Sequence, residues 1–219
     1  MDSHKGQRKR RKYAGQICYM CGSQSPVENE DIPGRLFGVT AQTGGFVVPS
    51  CRRCNRDWAG DQEFVRLRVT LHAGSTPGAG YINERELARV SGVGQKMPHI
   101  DRYMRERKKQ YVEGGREFLG LTDVDLERFR NVVRHWAAGI HYRERNIRAA
   151  LPGSVHERVT QPALFRRLQL QPSPHGKWNS NEGSKFGSWW FLPGPEPMDS
   201  VAIINLLDSD ELWFLVRFP

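Results

Sequence analysis

No stretch of this sequence is apolar for long enough to cross a bilayer. The longest apolar runs, Val201 to Leu207 and Leu212 to Val216, are the length of strands, far short of the ~20 residues a spanning helix needs. No apolar h-region follows Met1 either. Residues 1 to 12 read MDSHKGQRKRRK, so a secretory signal is not expected there and a soluble, reducing, cytoplasmic setting is. Internal repeats are absent. Cysteine is scarce, with four in 219 residues. That small number excludes a disulfide-dense scaffold and makes the placement of each cysteine informative.

All four fall in two C-x-x-C pairs, Cys18-Tyr-Met-Cys21-Gly22 and Pro49-Ser-Cys51-Arg-Arg-Cys54-Asn55. Two thiolates closing on a tight turn hold two corners of a tetrahedron, and a second pair supplies the other two. That is the ligand set of a structural Zn²⁺ site. Two disulfides are the alternative, and they need an oxidising compartment. Gly22 sits where a positive φ would turn backbone amides toward sulfur.

Basic charge is in excess. The formal net charge is +9 and the sequence pI about 9.7, which favours polyanionic partners, nucleic acid first. Lys5, Arg8, Lys9, Arg10, Arg11 and Lys12 face one acid, Asp2, so +5 of the +9 lies in a terminal arm and the rest of the chain carries +4. The arm reads either as a disordered or localising end or as a phosphate-tracking segment. A second basic stretch, residues 101–112, carries five bases, Arg105, Lys108 and Lys109 among them, against two acids, with tyrosines interleaved. Phosphate contact and a merely solvated helix face both remain open for it. Arg52 and Arg53, inside the second cysteine pair, are further phosphate candidates.

Read in order, the chain divides into a disordered basic arm (1–14), a zinc-binding core (15–72), a helical region (73–153) and a C-terminal antiparallel β region (154–219). The fold class is α+β. In the core, Ile17-Cys18 reads as a strand entering the first knuckle, Ser23 to Asn29 as a polar loop, and Phe46-Val47-Val48-Pro49 as a strand delivering the second knuckle. Residues 55 to 72 then take a helical period, with Asp61 and Glu63 near the start, where acids suit the macrodipole. Residues 73–80 (AGSTPGAG) form a linker, and helices are expected at 81–90 and 101–112.

Thr122-Asp-Val-Asp125 starts the clearest amphipathic helix, with Leu126, Phe129, Val133, Trp136 and Ile140 at steps of three and four. His135 and His141 read as surface or packing residues. Residues 152–153 (Pro-Gly) close the helical part, 155–171 is open between strand and coil, and 171–184 reads as an exposed loop. Strands follow at 187–192, 201–207 and 211–218, the last two as a hairpin over Asp208-Ser-Asp210. Trp189, Trp190, Trp213 and Phe214 supply core packing, a base-stacking surface or a face for a protein partner.

The order of cysteine knuckle, acidic-x-Ile-Pro, strand and Pro-x-Cys-x-x-Cys-Asn resembles the zinc-stabilised HNH nucleases, which have a treble-clef, ββα-metal core. The match covers residues 18 to 63, and more loosely Trp136 to Tyr142 and the aromatic C-terminal strands. In that family an Asp-His-Ile-Pro-Pro-Lys motif follows the first knuckle. Its His is the general base, and the preceding acid binds a divalent cation. By this resemblance Glu30 falls on the metal-binding acid, Ile32-Pro33 on the Ile-Pro, Asn55 on the Asn after the last knuckle, and Asp61 or Glu63 near the later ligand. Asp31 occupies the position of the His.

The resemblance implies a DNA endonuclease, with Glu30, Asp31 and Asn55 in the catalytic loop, Asp61 or Glu63 beside a Mg²⁺ or Mn²⁺ ion, and zinc as structural ion only. An Asp with an ordinary pKa of about 3.9 is a weak base, and His4, His72 and His99 cannot be assigned its task from spacing. Glu30 and Asp31 therefore read either as a cation site or as turn-capping acids. The alternative function is a catalytically inactive, zinc-stabilised nucleic-acid-binding or adaptor module.

Overall fold

The computed structural model describes residues 15–24, 27–34, 37–72, 123–157, 174–179, 185–206 and 213–219. The arm, the linker, the expected helices at 81–90 and 101–112, residues 158–173 and the turn at 208–210 lie outside these residues.

An antiparallel hairpin opens the fold, with β1 (Val27–Ile32) on β2 (Phe46–Cys51). The register pairs Glu30 with Val48, Asp31 with Val47 and Ile32 with Phe46. Part of β1 was expected to be polar loop. Its VENEDI sequence has little strand propensity of its own, and pairing with the β-branched β2 overrides that weak local preference. The expected strand at Ile17-Cys18 is absent. Those residues enter a turn instead, closed by Cys18 N–H to the Ser23 carbonyl and Gly22 N–H to the Cys18 carbonyl, each 2.9 Å. Gly22 has φ +73°, the left-handed conformation expected of it. The turn docks on β2 through Tyr19 N–H to the Pro49 carbonyl (2.8 Å).

Two helices follow where one was expected. α1 (Arg52–Asp57) starts directly after β2, and α2 (Ala59–His72) continues after a break at Trp58. The early start has a local cause. Cys51 is extended and its sulfur accepts from Cys54 N–H, so a cysteine serves as N-cap.

α3 (Asp123–Arg145) is the expected amphipathic helix and the centre of the molecule. It ends at Arg145, before the Pro-Gly expected to close it, and Asn146 turns left-handed (φ 56°). Phe129, Val132, Val133, Trp136, Ala137 and Ile140 are buried along it. His135 and His141 are buried too, so both are packing residues.

β3 (Ser154–Glu157), β4 (Gly176–Asn179), β5 (Lys185–Pro193), β6 (Ser200–Leu206) and β7 (Trp213–Phe218) form one antiparallel sheet in the order β3-β7-β6-β5-β4. The last two strands are the expected antiparallel pair. β4 lies in the stretch read as an exposed loop. Tertiary packing outweighs its Pro, Ser, Gly and Asn context, because Trp178 is fully buried against Trp136 and Phe186. Trp189, Trp190 and Phe214 are buried as well. Phe37 meets Trp136 edge-on at 5.1 Å and Phe186 at 5.1 Å. One continuous core thus joins the hairpin, α3 and the five-stranded sheet.

Candidate metal centre

The four cysteines converge. Cys18 and Cys21 stand on the turn before β1, Cys51 ends β2, and Cys54 lies in the first turn of α1. All four sulfurs lie within 4.8 Å of one another. Cys21 and Cys51 Sγ are 3.7 Å apart. A tetrahedron with Zn–S of about 2.3 Å has edges of about 3.8 Å, whereas a disulfide holds its sulfurs at about 2.05 Å. The thiols are free, and their spacing fits a metal ion such as zinc.

Electrostatics favour the same conclusion. Burial pushes the Cys18 thiol up. Burial, then the charge of Cys18, pushes Cys54 up much further. At Cys21 burial acts upward too, but hydrogen bonds from Ser23 and the neighbouring thiols outweigh it and the net direction is down. Thiolates crowded this closely repel one another, and a divalent cation turns that repulsion into attraction. Four protein ligands close the coordination sphere, so the ion's role here would be structural.

Among the described residues no other group of three or more His, Cys, Asp or Glu can hold an ion together. Glu30, Asp31, Asp61 and Glu63 therefore do not form one. Glu30 points inward from β1 and is 3% exposed. Tyr19 O–H donates to its Oε1 (3.2 Å). The Ser50 hydroxyl and the Trp58 indole N–H face the carboxyl more loosely, and Oε2 has no partner at hydrogen-bonding geometry. Burial raises Glu30 to about 7, against the opposing pull of Ser50, Tyr19 and Trp58. The Tyr19 phenol is pushed well above its ordinary range by burial and by Glu30.

Asp31, on the other face of β1, is half-buried. Asp61 is held by α3, with Arg128 Nε on Oδ1 (2.9 Å) and Asn131 Nδ2 on Oδ2 (2.7 Å). Glu63 is half-buried. Asn55 lies in α1, and its side chain makes no hydrogen bond among the described residues. Arg52 and Arg53 are exposed on the same helix. Arg8, Lys9, Arg10, Arg11, Lys12, Arg105, Lys108 and Lys109 lie outside the described residues.

Three contributors went unread in the sequence. Tyr19, between two ligands, joins the knuckle to Glu30. Trp58 is fully buried and stacks on His135. Arg148 Nη1 donates to the Cys21 carbonyl at 3.1 Å from 127 positions away, a pairing no local pattern encodes. No family model, curated protein or solved structure matches this chain. No helix among the described residues is long and apolar enough to cross a membrane.

Proposed function

We propose that this chain is a zinc-stabilised nucleic-acid-binding module of the HNH nuclease type, with its carboxylates turned to structural use. The observation that carries this reading is the state of Glu30 and Asp61. One is buried against Tyr19 and the other is bound on both oxygens by Arg128 and Asn131. Neither is presented to a substrate. The order of knuckle, hairpin, knuckle and helix supports the ancestry, and the net charge of +9 supports the polyanionic partner. The arm and residues 105–109 add phosphate contacts in this reading.

The test is fluorescence anisotropy with duplex and single-stranded DNA at 50 and 200 mM salt. Affinity should fall steeply with salt and depend little on sequence. Salt-independent binding, or none at 50 mM, would remove the proposal.

A second reading keeps catalysis, and one observation favours it. Glu30 stands at the position of the family's metal-binding acid with a perturbed carboxyl and an unpartnered Oε2, and perturbed groups cluster at working sites. In this reading Mg²⁺ or Mn²⁺ is held at Glu30, and the cation would supply charge stabilisation for phosphodiester hydrolysis. Plasmid nicking by wild type that is lost in Glu30→Gln would establish it. Equal nicking by both would exclude it.

A further inference from the structure

The three exposed arginines of α1 are not equivalent. Arg53 faces Asp57 one turn on, at 3.7 Å. Arg52 and Arg56 stand at the same i, i+4 spacing, and neither has an ion pair or hydrogen bond among the described residues. Asn55 sits three residues after Arg52 and is equally unengaged. Residues three and four apart on a helix are neighbours, so guanidinium, amide and guanidinium share one face.

That face has a rigid mount. A six-residue helix would not persist alone in water. α1 is anchored by Cys51 as its N-cap and by Cys54 in its first turn, so the cysteine cluster sets its direction. The cluster's own charge must be weighed against the arginines. Four thiolates around one divalent cation carry a net charge of about −2. Arg148 lies on the Cys21 carbonyl beside it, and Arg53 is matched by Asp57. Arg52 and Arg56 are left with no fixed counter-charge of their own.

We infer that Arg52, Asn55 and Arg56 form a phosphate-gripping face for a nucleic-acid backbone, presented by the metal-held α1. This rests on the nucleic-acid reading above. Guanidinium forks match phosphate oxygens in geometry and charge, and the Asn55 amide supplies a further donor. Contacts of this kind set position and affinity without reading base identity.

Salt-dependent binding of a labelled duplex to the full zinc-loaded chain tests the inference. R52A/R56A should weaken binding about tenfold at 100 mM salt and flatten the log K against log [salt] slope by about 2. Its zinc content should equal wild type. K177A/R217A removes the same charge from exposed positions on the five-stranded sheet and should match wild type. R52K/R56K should recover most of the affinity. Should the alanine pair shed zinc, the same comparison is read from R52Q/R56Q. If wild type binds and R52A/R56A keeps both affinity and slope, this face is overturned while the nucleic-acid reading stands. Equal weakening by K177A/R217A overturns it too, because net charge alone would then explain the loss. No binding by wild type overturns both.

Discussion

The Trp58 indole lies flat on the His135 imidazole, with ring centroids 4.5 Å apart and planes 8° from parallel. Trp58 marks the break between α1 and α2, and His135 is on α3. The stack therefore fastens the element that carries Cys54 to the central helix. On the same indole, the N–H faces Glu30. The buried carboxyl and the helical core thus meet around one side chain, four residues after Cys54.

His135 should be neutral at physiological pH. Burial pushes it down to about 4, while its Nδ1 lies 2.9 Å from the Asn131 carbonyl. A group whose folded pKa is depressed contributes stability above its unfolded value, near 6.5, and loses it as pH falls toward 4. The full effect is at most about 3 kcal/mol. His135→Phe keeps a ring on Trp58 and removes the titration. Urea melts between pH 4 and 7 should show a flatter dependence for the variant, and an NMR titration should find the imidazole uncharged at pH 5.

Glu30 has the opposite sign. Burial holds its folded pKa at about 7, above the ordinary 4.5 of an exposed glutamate. Stability from this group is fully present below the lower value and is lost as pH rises through the upper one. Glu30→Gln should match wild type at pH 4 and exceed it at pH 8, by up to about 3 kcal/mol. Between these limits Glu30 opposes His135 and His141, which burial also lowers to about 4, so single-site variants are needed to separate them. If Mg²⁺ raises the melting temperature of wild type and not of Glu30→Gln, the carboxyl is a cation ligand and the binding-only reading fails.

Removing the metal should loosen the first knuckle. Apart from the sulfurs and the burial of Cys18 and Tyr19, the turn at Cys18–Cys21 is tied by Tyr19 N–H to Pro49, Tyr19 O–H to Glu30 and Arg148 to Cys21. Elemental analysis should find one zinc per chain, and Cys51→Ser should lose a thiolate ligand while its hydroxyl still caps α1. Structural zinc contributes folding free energy directly, so a chelator should change Trp58 fluorescence and lower the midpoint of unfolding. Retention of one zinc by Cys51→Ser would refute the four-sulfur assignment.

The parts of this fold legible in the sequence are those whose physical cause is local. Two C-x-x-C pairs announce a tetrahedron because ligation at short range needs that spacing, and α3 announces itself because one buried stripe demands steps of three and four. β1 was obscured because four of its six residues are polar, and β2 supplies the reason for it to extend. The early start of α1 was hidden because a thiol is an unusual N-cap. Trp178 pulls β4 into the core through partners 42 and 8 residues away, Trp136 and Phe186. The inward turn of Glu30 likewise depends on Tyr19 and Trp58, which no spacing rule links to it.

Gly139 sets how closely α3 approaches the hairpin. A Cβ there would lie 2.8 Å from Ile32 Cγ1 and 3.2 Å from its Cδ1. Two effects compete in Gly139→Ala. Helix propensity gains about 1 kcal/mol, while overpacking a well-filled core costs about 1–3 kcal/mol. Ile32 is fully buried, and the clash falls on the γ-methylene next to its branch point, which has little room to yield. Overpacking should therefore win, and Gly139→Ala should be less stable than wild type in urea melts. Ile32→Ala would cost about 2–5 kcal/mol alone, but in the double variant the new methyl enters the vacated space. The two changes should thus be strongly non-additive, with a coupling of about 1 kcal/mol or more. Simple additivity would show that α3 does not press on β1 at this point.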